Sequence, residues 1–198
     1  MTTFNDVQSK AQEEIDRVVG KERFPTLNDR PSLPYVEALV RETMRWMPVL
    51  PLAIPHYTVE DDIYKGYFIP KGTMVLGNTW AISHNTTIYD ESDRFDPSRF
   101  FNLDGQLNDD DLSYAFGYGR RQCPGRHLAS ATIWLNMAVI LAAFNIRKQK
   151  DSLGKDIPLT SGFSVSSIAV RPNPFECLIT PRSDAAKALV LERIVYQH

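Results

Sequence analysis

The residue best suited to chemistry in this chain is Cys123, which stands near the end of a glycine-rich loop. The loop reads Phe116-Gly-Tyr-Gly-Arg-Arg-Gln-Cys-Pro-Gly125 and is called the cysteine loop below. Pro124 predicts a helix that begins directly after the cysteine, because a proline lacks the N–H that stays unpaired in a first helical turn. Free amides and partial positive charge at a helix start favour an anion. Cys123 is therefore predicted to be a thiolate that binds a metal.

Other residues of the cysteine loop fit a flat, acidic ligand. Gly117, Gly119 and Gly125 allow tight bends and a close approach of the backbone to such a ligand. Arg121, two residues before the cysteine, offers a fixed cation for an acidic group on it. Phe116 is predicted to pack beside the sulfur and to exclude water, which strengthens charge interactions there.

The cysteine loop resembles the F-x-x-G-x-R-x-C-x-G haem loop of the cytochrome P450 monooxygenases. The matching residues are Phe116, Gly119, Arg121, Cys123 and Gly125. This resemblance implies haem b (iron protoporphyrin IX), with Cys123 as the axial ligand of the iron and Arg121 at a haem propionate.

Two upstream segments extend the resemblance. Glu42-Thr-Met-Arg45 is similar to the E-x-x-R pair of the family, and Phe95-Asp-Pro-Ser-Arg-Phe100 to the segment that supplies a second arginine, Arg99. The resemblance implies that Glu42, Arg45 and Arg99 form a buried brace for the haem loop, here called the charge cluster. Residues three apart share a helix face, and guanidinium groups are the best partners for a buried carboxylate. The alternative is a solvated pair on a helix, worth only tenths of a kcal/mol.

One further position, His56, resembles the family residue that pairs with a haem propionate; the alternative is a polar surface histidine. The proline-rich segment Val49–His56 is predicted to be extended. In the family, the segments that correspond to Val49–His56 and Ser161–Val165 shape the substrate pocket.

Apolar spacing and glycine and proline breaks predict the elements. Helices are expected at 7–19, 33–46 (with Ser32 as a possible cap), 78–83, 128–144 and 183–197. Strands are expected at 63–69, 73–76, 163–168 and 175–179, and residues 103–113 are expected to form an exposed loop. The predicted fold class is mainly α with small β-sheets. By resemblance, residues 1–198 form the C-terminal haem-binding portion of a cytochrome P450 domain, without its N-terminal helical part.

Composition excludes several classes of protein. A net charge of −2 over 198 residues lacks the basic character of a nucleic-acid-binding domain. Two cysteines cannot build a disulfide framework. The first residues are neither basic nor followed by an apolar run, so no signal peptide is predicted. The apolar stretch Leu128–Phe144 is shorter than the roughly 20 residues of a membrane span and is predicted to be a buried helix.

The resemblance implies a haem-thiolate monooxygenase that inserts one oxygen atom of O₂ into a small apolar organic substrate. It also implies an electron-donor protein such as an NADPH-dependent reductase. The sequence is most similar to fungal microsomal members, which places a full-length parent at the endoplasmic reticulum membrane. Two alternatives stay open: a truncated, non-catalytic fragment of such an enzyme, and a haem-thiolate enzyme that uses peroxide.

Overall fold

A computed structural model gives the fold and describes residues 1–159, 162–166 and 168–195. Within these ranges the α-helices are α1 (Asn5–Val18), α2 (Pro34–Trp46), α3 (Thr79–Ser83), α4 (Arg126–Ala143) and α5 (Asp184–Val195). Short 3₁₀ turns cover Leu27–Ser32, Pro97–Phe100, Ser113–Phe116 and Gly119–Arg121. The predicted helices are all present, and within the described residues their ends lie no more than two residues from the expected ones.

The core is built where α1, α2 and α4 pack together. The residues that form it share a helical spacing on each element: Val7, Ala11 and Ile15; Val36, Leu39 and Val40; Trp134, Ala138 and Leu141. Apolar residues three to four apart line one face of a helix, so each helix presents an apolar stripe to the other two. This core holds α2, which carries Glu42 and Arg45, in a fixed orientation.

Helix α1 also completes the first turn of α2. Pro34 occupies the first position of α2, as predicted, but the capping residue is Leu33, whose side chain has no acceptor. The expected cap at Ser32 is therefore wrong. The carboxylate of Glu14 replaces it and accepts hydrogen bonds from the backbone N–H of Tyr35 at 2.9 Å and of Val36 at 3.0 Å. A side chain from α1 thus satisfies amides that α2 cannot satisfy locally.

The strands form small antiparallel pairs. In the described residues these pairs are β1 (His56–Tyr57) with β4 (Met74–Val75), β2 (Asp62–Tyr64) with β3 (Tyr67–Ile69), β5 (Phe144–Lys148) with β8 (Cys177–Pro181), and β6 (Phe163–Ser166) with β7 (Ala169–Pro172). Three of these strands, β1, β5 and β7, were not predicted from the sequence. Strand β5 follows α4 without a break and is fixed by α1, since Gln8 Oε1 accepts from Ile146 N at 2.9 Å.

Helix α4 is less buried than predicted. One face packs into the core through Trp134, Ala138 and Leu141, whereas Leu128 is 74% exposed on the opposite face. The 18 residues of α4 have a mean hydropathy of 1.2, so by length and composition this helix alone among the described ones could cross a membrane. Because its buried residues belong to the core, we assign α4 to the globular fold.

The loop at 103–113 departs from the expectation of an exposed segment, since Leu112 is completely buried in a second apolar cluster with Ala38, Tyr89 and Phe100. Of the predicted substrate-contacting turn Ser161–Val165, Ser161 lies outside the described residues. The last residues of the predicted C-terminal helix, 196 and 197, also lie outside them.

Candidate functional site

The cysteine loop is held by hydrogen bonds between its own residues and the preceding turn. Cys123 N donates to Phe116 O at 2.8 Å, and Gln122 N donates to Gly119 O at 3.3 Å. The side-chain amide of Gln122 donates through Nε2 to Ser113 O at 3.1 Å. Gly119 has a φ of 59°, in the left-handed region that favours glycine. These contacts close the loop and leave Cys123 exposed at its end.

The start of α4 differs from the prediction. Pro124 and Gly125 form a turn, and the helix begins at Arg126, whose N–H donates to the carbonyl oxygen of Cys123 at 3.3 Å. A proline needs only a fixed φ near −65°, which a turn supplies as well as a first helical position does. Within the described part of the chain no hydrogen bond reaches Cys123 Sγ. The expected stabilisation of the sulfur by first-turn amides is therefore not seen.

Gly125 has an ordinary backbone conformation, with φ −85°. A Cβ built at this position would lie 3.8 Å from Cys123 Sγ. Any side chain at position 125 would therefore stand beside the sulfur, whereas glycine leaves the sulfur accessible. Gly117 and Gly119 bend the chain with positive φ, whereas Gly125 lies in the Pro124–Gly125 turn without needing one.

Cys123 opens onto a concavity of about 360 Å³ with mainly apolar walls. Its walls include Leu50, Ala53, Ile54, Tyr114, Phe116 and Tyr118. A second concavity, of about 740 Å³, adjoins the first and shares Ile54, His56 and Arg121 with it. The structure thus brings the predicted residues Cys123, Arg121, His56 and Phe116 to one surface, while Gly119 and Gly125 shape the loop behind it.

One contact of this surface was not found from the sequence. The ring of Tyr118 lies against Gly77, so that a Cβ at Gly77 would stand 2.9 Å from two of its ring carbons. The Tyr118 hydroxyl lies 3.1 Å from Thr79 Oγ1. Tyr118 therefore fastens the cysteine loop to the segment between β4 and α3. Gly77 and Tyr118 are 41 residues apart, so no local pattern in the sequence could reveal their contact.

The charge cluster is assembled inside the protein. Arg45 binds Glu42 through two parallel hydrogen bonds, Nε to Oε2 at 2.7 Å and Nη2 to Oε1 at 2.9 Å. Arg99 Nε lies 3.2 Å from Glu42 Oε2. The side chains of Glu42 and Arg45 have no exposed surface, and that of Arg99 is 11% exposed. The alternative of a solvated surface pair is therefore excluded by this geometry.

The remaining donors of the charge cluster hold the segment 83–99 rather than the cysteine loop itself. Arg45 Nη1 donates to Ser83 O at 2.8 Å, Arg99 Nη1 donates to Asp90 O at 2.8 Å, and Asp96 N donates to Glu42 Oε1 at 2.7 Å. Three charged side chains thus satisfy one another and the backbone around them, as a buried charge requires.

Two tyrosines lie between the charge cluster and the cysteine loop. The Tyr89 hydroxyl donates to Asp110 Oδ2 at 2.7 Å and lies 3.3 Å from the Tyr114 hydroxyl. Burial raises the pKa of Tyr114 to about 12, and burial together with the hydrogen bond that Tyr89 donates to Asp110 raises the pKa of Tyr89 as well. Both hydroxyls are therefore protonated at neutral pH.

A sequence model of the family described as Cytochrome P450 matches residues 1–178. The chain belongs to the cytochrome P450 family. Among curated relatives, cytochrome P450 monooxygenase claR of Ampulloclitocybe clavipes is 45% identical over 96% of the chain. Cytochrome P450 monooxygenase 98 of Postia placenta is 44% identical over 94%, and cytochrome P450 monooxygenase COX2 of Coprinopsis cinerea 48% identical over 96%. The chain spans 35%, 36% and 36% of the length of these fungal proteins.

Membership of the cytochrome P450 family implies a haem cofactor, and the residues present fit it. Cys123 would hold the iron of a haem through its thiolate. Apolar walls suit the porphyrin face, and the two nitrogen-bearing side chains at the shared edge of the concavities, His56 and Arg121, suit acidic substituents. In the part of the chain that the structure describes, no group of three or more His, Cys, Asp or Glu is placed to hold a bare metal ion.

Proposed function

We propose that this chain is the C-terminal, haem-binding portion of a haem-thiolate monooxygenase that inserts one oxygen atom of O₂ into an apolar organic substrate. One observation carries the proposal: an exposed Cys123 at the end of a closed loop shares an apolar concavity with Arg121 and His56. Similarity to fungal cytochrome P450 monooxygenases across more than nine tenths of the chain supports it.

The proposed cofactor is haem b. Cys123 Sγ binds its iron as a thiolate, Arg121 and His56 bind its propionates, and Phe116 limits the access of water to the sulfur. When bound, a haem with a cysteine thiolate ligand supplies the chemistry that cleaves O₂ and oxidises unactivated carbon. The share of the protein is to hold that group, to orient it and to keep its surroundings dry.

The proposed role of Glu42, Arg45 and Arg99 is to fix the segment 83–99 against α2. A buried, fully paired cluster resists displacement because moving any member leaves a charge without partners. The segment it fixes includes Tyr89, which lies next to the turn that enters the cysteine loop.

The proposed substrate is small and apolar. Leu50, Ala53 and Ile54 of the proline-rich segment face the concavity that holds Cys123. Strand β7 supports this segment, since Val170 N donates to Val49 O at 2.8 Å. Pockets lined in this way recognise substrates mainly by shape and apolar contact.

The proposed electron donor is a protein such as an NADPH-dependent reductase. A groove of about 420 Å³ is lined by Phe116 and Arg126, and by Arg30, which is paired with Glu37. Phe116 lines both this groove and the Cys123 concavity. Arg126 offers a cationic side chain that suits an acidic partner surface. We also propose that the longer protein lies at the endoplasmic reticulum membrane. Fractionation of cells that express it tests this location.

Spectroscopy of the haem-loaded chain tests the proposal. The 198-residue chain is loaded with haem, reduced and exposed to carbon monoxide, and its Soret band is recorded. We expect the red-shifted band of a thiolate ligand, which Cys123→Ser abolishes while the matched change at the other cysteine, Cys177→Ser, leaves it intact. Loss of the band in Cys177→Ser alone, or its persistence in Cys123→Ser, contradicts the assignment.

Activity is tested on a protein of the full length of the relatives, because the chain spans about a third of that length. Turnover of an apolar substrate by that protein with a reductase, O₂ and NADPH supports a monooxygenase. Turnover that needs only peroxide identifies a peroxide-using enzyme instead. Haem binding without either activity identifies a non-catalytic product.

A further inference from the structure

The charge cluster and the cysteine loop are linked through Tyr89. The ring of Tyr89 is 6% exposed and packs in an apolar cluster with Ala38 of α2, Phe100 and Leu112. The guanidinium carbon of Arg45 lies 5.3 Å from the centre of the same ring, within the range of a cation–π contact. Tyr89 is therefore held on one side by the core and on another by the charge cluster.

The hydroxyl of Tyr89 connects this fixed ring to the segment before the cysteine loop. It donates its single proton to Asp110 Oδ2, so Tyr114 must be the donor in the contact between the two hydroxyls. Asp110 is itself fastened, because its Oδ1 accepts from Leu112 N at 3.1 Å and its carbonyl oxygen accepts from Arg41 Nη1 of α2 at 2.9 Å.

Tyr114 carries the connection into the loop. It lies in the Ser113–Phe116 turn, and Phe116 at the end of that turn accepts the backbone hydrogen bond of Cys123. The side chain of Tyr114 also lines the concavity onto which Cys123 opens. A shift of Tyr114 would therefore move both a wall of the concavity and the residue that fixes the Cys123 amide.

We propose that Tyr89 and Tyr114 are positioning residues, which transmit the fixed geometry of α2 and the charge cluster to the cysteine loop and so set the place of the Cys123 sulfur. The consequence for an iron ligand rests on the proposed haem-thiolate function. The mechanical part concerns this chain alone and can be measured without haem.

The alternative is that the two rings act only as apolar filler, and removal of single oxygen atoms separates the two roles. Tyr114→Phe and Tyr89→Phe keep both rings and remove one hydroxyl each. Tyr89→Phe also leaves Asp110 Oδ2 without its donor, so its effect should exceed that of Tyr114→Phe. Tyr35→Phe is the matched control, because Tyr35 is a partly buried tyrosine of α2 outside this network.

Amide hydrogen exchange of the chain without haem, followed by NMR, is the first measurement. We expect the Cys123 amide to exchange roughly 2- to 10-fold faster in Tyr114→Phe, the range for loss of one hydrogen bond, and faster still in Tyr89→Phe. Amides in the middle of α4 should keep their rates, and Tyr35→Phe should change neither. Unchanged exchange at Cys123, or a uniform increase over the whole chain, overturns the proposal.

The second measurement uses the haem-loaded chain and its carbon monoxide complex. We expect both tyrosine variants to lose part of the red-shifted thiolate band, while Tyr35→Phe keeps it. A wild-type chain without this band would refute the proposed function, and the exchange rates would still decide the role of the tyrosines. A full band in all variants together with unchanged exchange refutes the tyrosine proposal and leaves the proposed function standing.

Discussion

Glu42 and Arg45 are completely buried and bonded to each other, whereas Cys123 and Arg121 lie exposed on a loop whose hydrogen bonds are made mainly by its backbone. In the charge cluster, hydrogen bonds between side chains hold the region together, so a change in one of them leaves a buried charge unpaired. In the cysteine loop, hydrogen bonds of the backbone hold the region together, so its side chains are available to a ligand. The chain therefore keeps its rigid, buried charges apart from the exposed residues that can meet a ligand, and Tyr89 and Tyr114 connect the two regions.

The largest effect should come from breaking the charge cluster. Glu42→Gln leaves Arg45 buried beside a neutral partner, and we expect a loss of about 3–5 kcal/mol in the free energy of unfolding, measured by urea denaturation. Glu91→Gln is the matched control, since Glu91 and Arg94 have the same spacing of three but are 65% and 63% exposed. Surface pairs contribute little, so the control should behave like wild type. Equal losses in both variants would show that burial of the cluster does not matter.

The next effect tests the close contact between the cysteine loop and the segment after β4. Gly77→Ala places a methyl group against the ring of Tyr118, and overpacking of this kind costs about 1–3 kcal/mol in the free energy of unfolding. In a double variant with Tyr118→Ala, the added methyl should cost nothing further. If Gly77→Ala is equally costly with and without the tyrosine ring, the contact is not the cause.

A smaller effect distinguishes two glycines of the cysteine loop. Gly119→Ala forces a Cβ into the left-handed region and should cost about 1–2 kcal/mol in thermal or urea unfolding. Gly125→Ala has no such strain, so we expect a smaller cost of about 0.5 kcal/mol, from the loss of glycine at the N-cap of α4. Its methyl group stands beside Cys123 Sγ, and the reaction of Cys123 with iodoacetamide should slow. Identical behaviour of the two variants would contradict the backbone geometry described above.

The smallest effect concerns Glu14, a buried carboxylate whose hydrogen bonds come from backbone amides. Burial raises the pKa of Glu14 above its usual value, although the amides of Tyr35 and Val36 oppose the rise. Since the folded pKa is the higher one, Glu14 favours folding below its unfolded pKa and loses that contribution as the pH rises through the folded pKa. The free energy of unfolding of wild type should therefore fall more steeply above about pH 4 than that of Glu14→Gln. Parallel curves would mean that the pKa is not raised.

Much of this fold follows from sequence because its helices carry local signals. Apolar residues at helical spacing mark α1, α2 and α4, and the chain between Phe116 and Gly125 has the residue pattern of a haem loop. Strand β5 could not be predicted, because it continues from α4 without a break and depends on pairing with β8. Its strand conformation depends on pairing with residues more than 25 positions away, and no local pattern in the sequence indicates that partner.

The candidate site also combines features that the sequence shows with contacts that only the structure shows. Glu42 and Arg45 lie one helical turn apart, so their pairing is visible in the sequence, and their burial shows only in the structure. The contacts of Tyr89 with Tyr114 and of Tyr118 with Gly77 join residues 25 and 41 positions apart. Such pairs carry no periodic signal. The start of α4 at Arg126 was also not predicted, because Pro124 suits a turn as well as a first helical position.

The Glu14 carboxylate of α1 completes the first turn of α2, so the first helix influences the distant cysteine loop. Helix α2 carries Arg41, Glu42 and Arg45, and its opening turn depends on Glu14. A shortened form that starts after Gly20 would lack that acceptor and the apolar stripe beside it. We expect such a form to lose the order of the cysteine loop, even though the deletion lies a hundred residues before the cysteine.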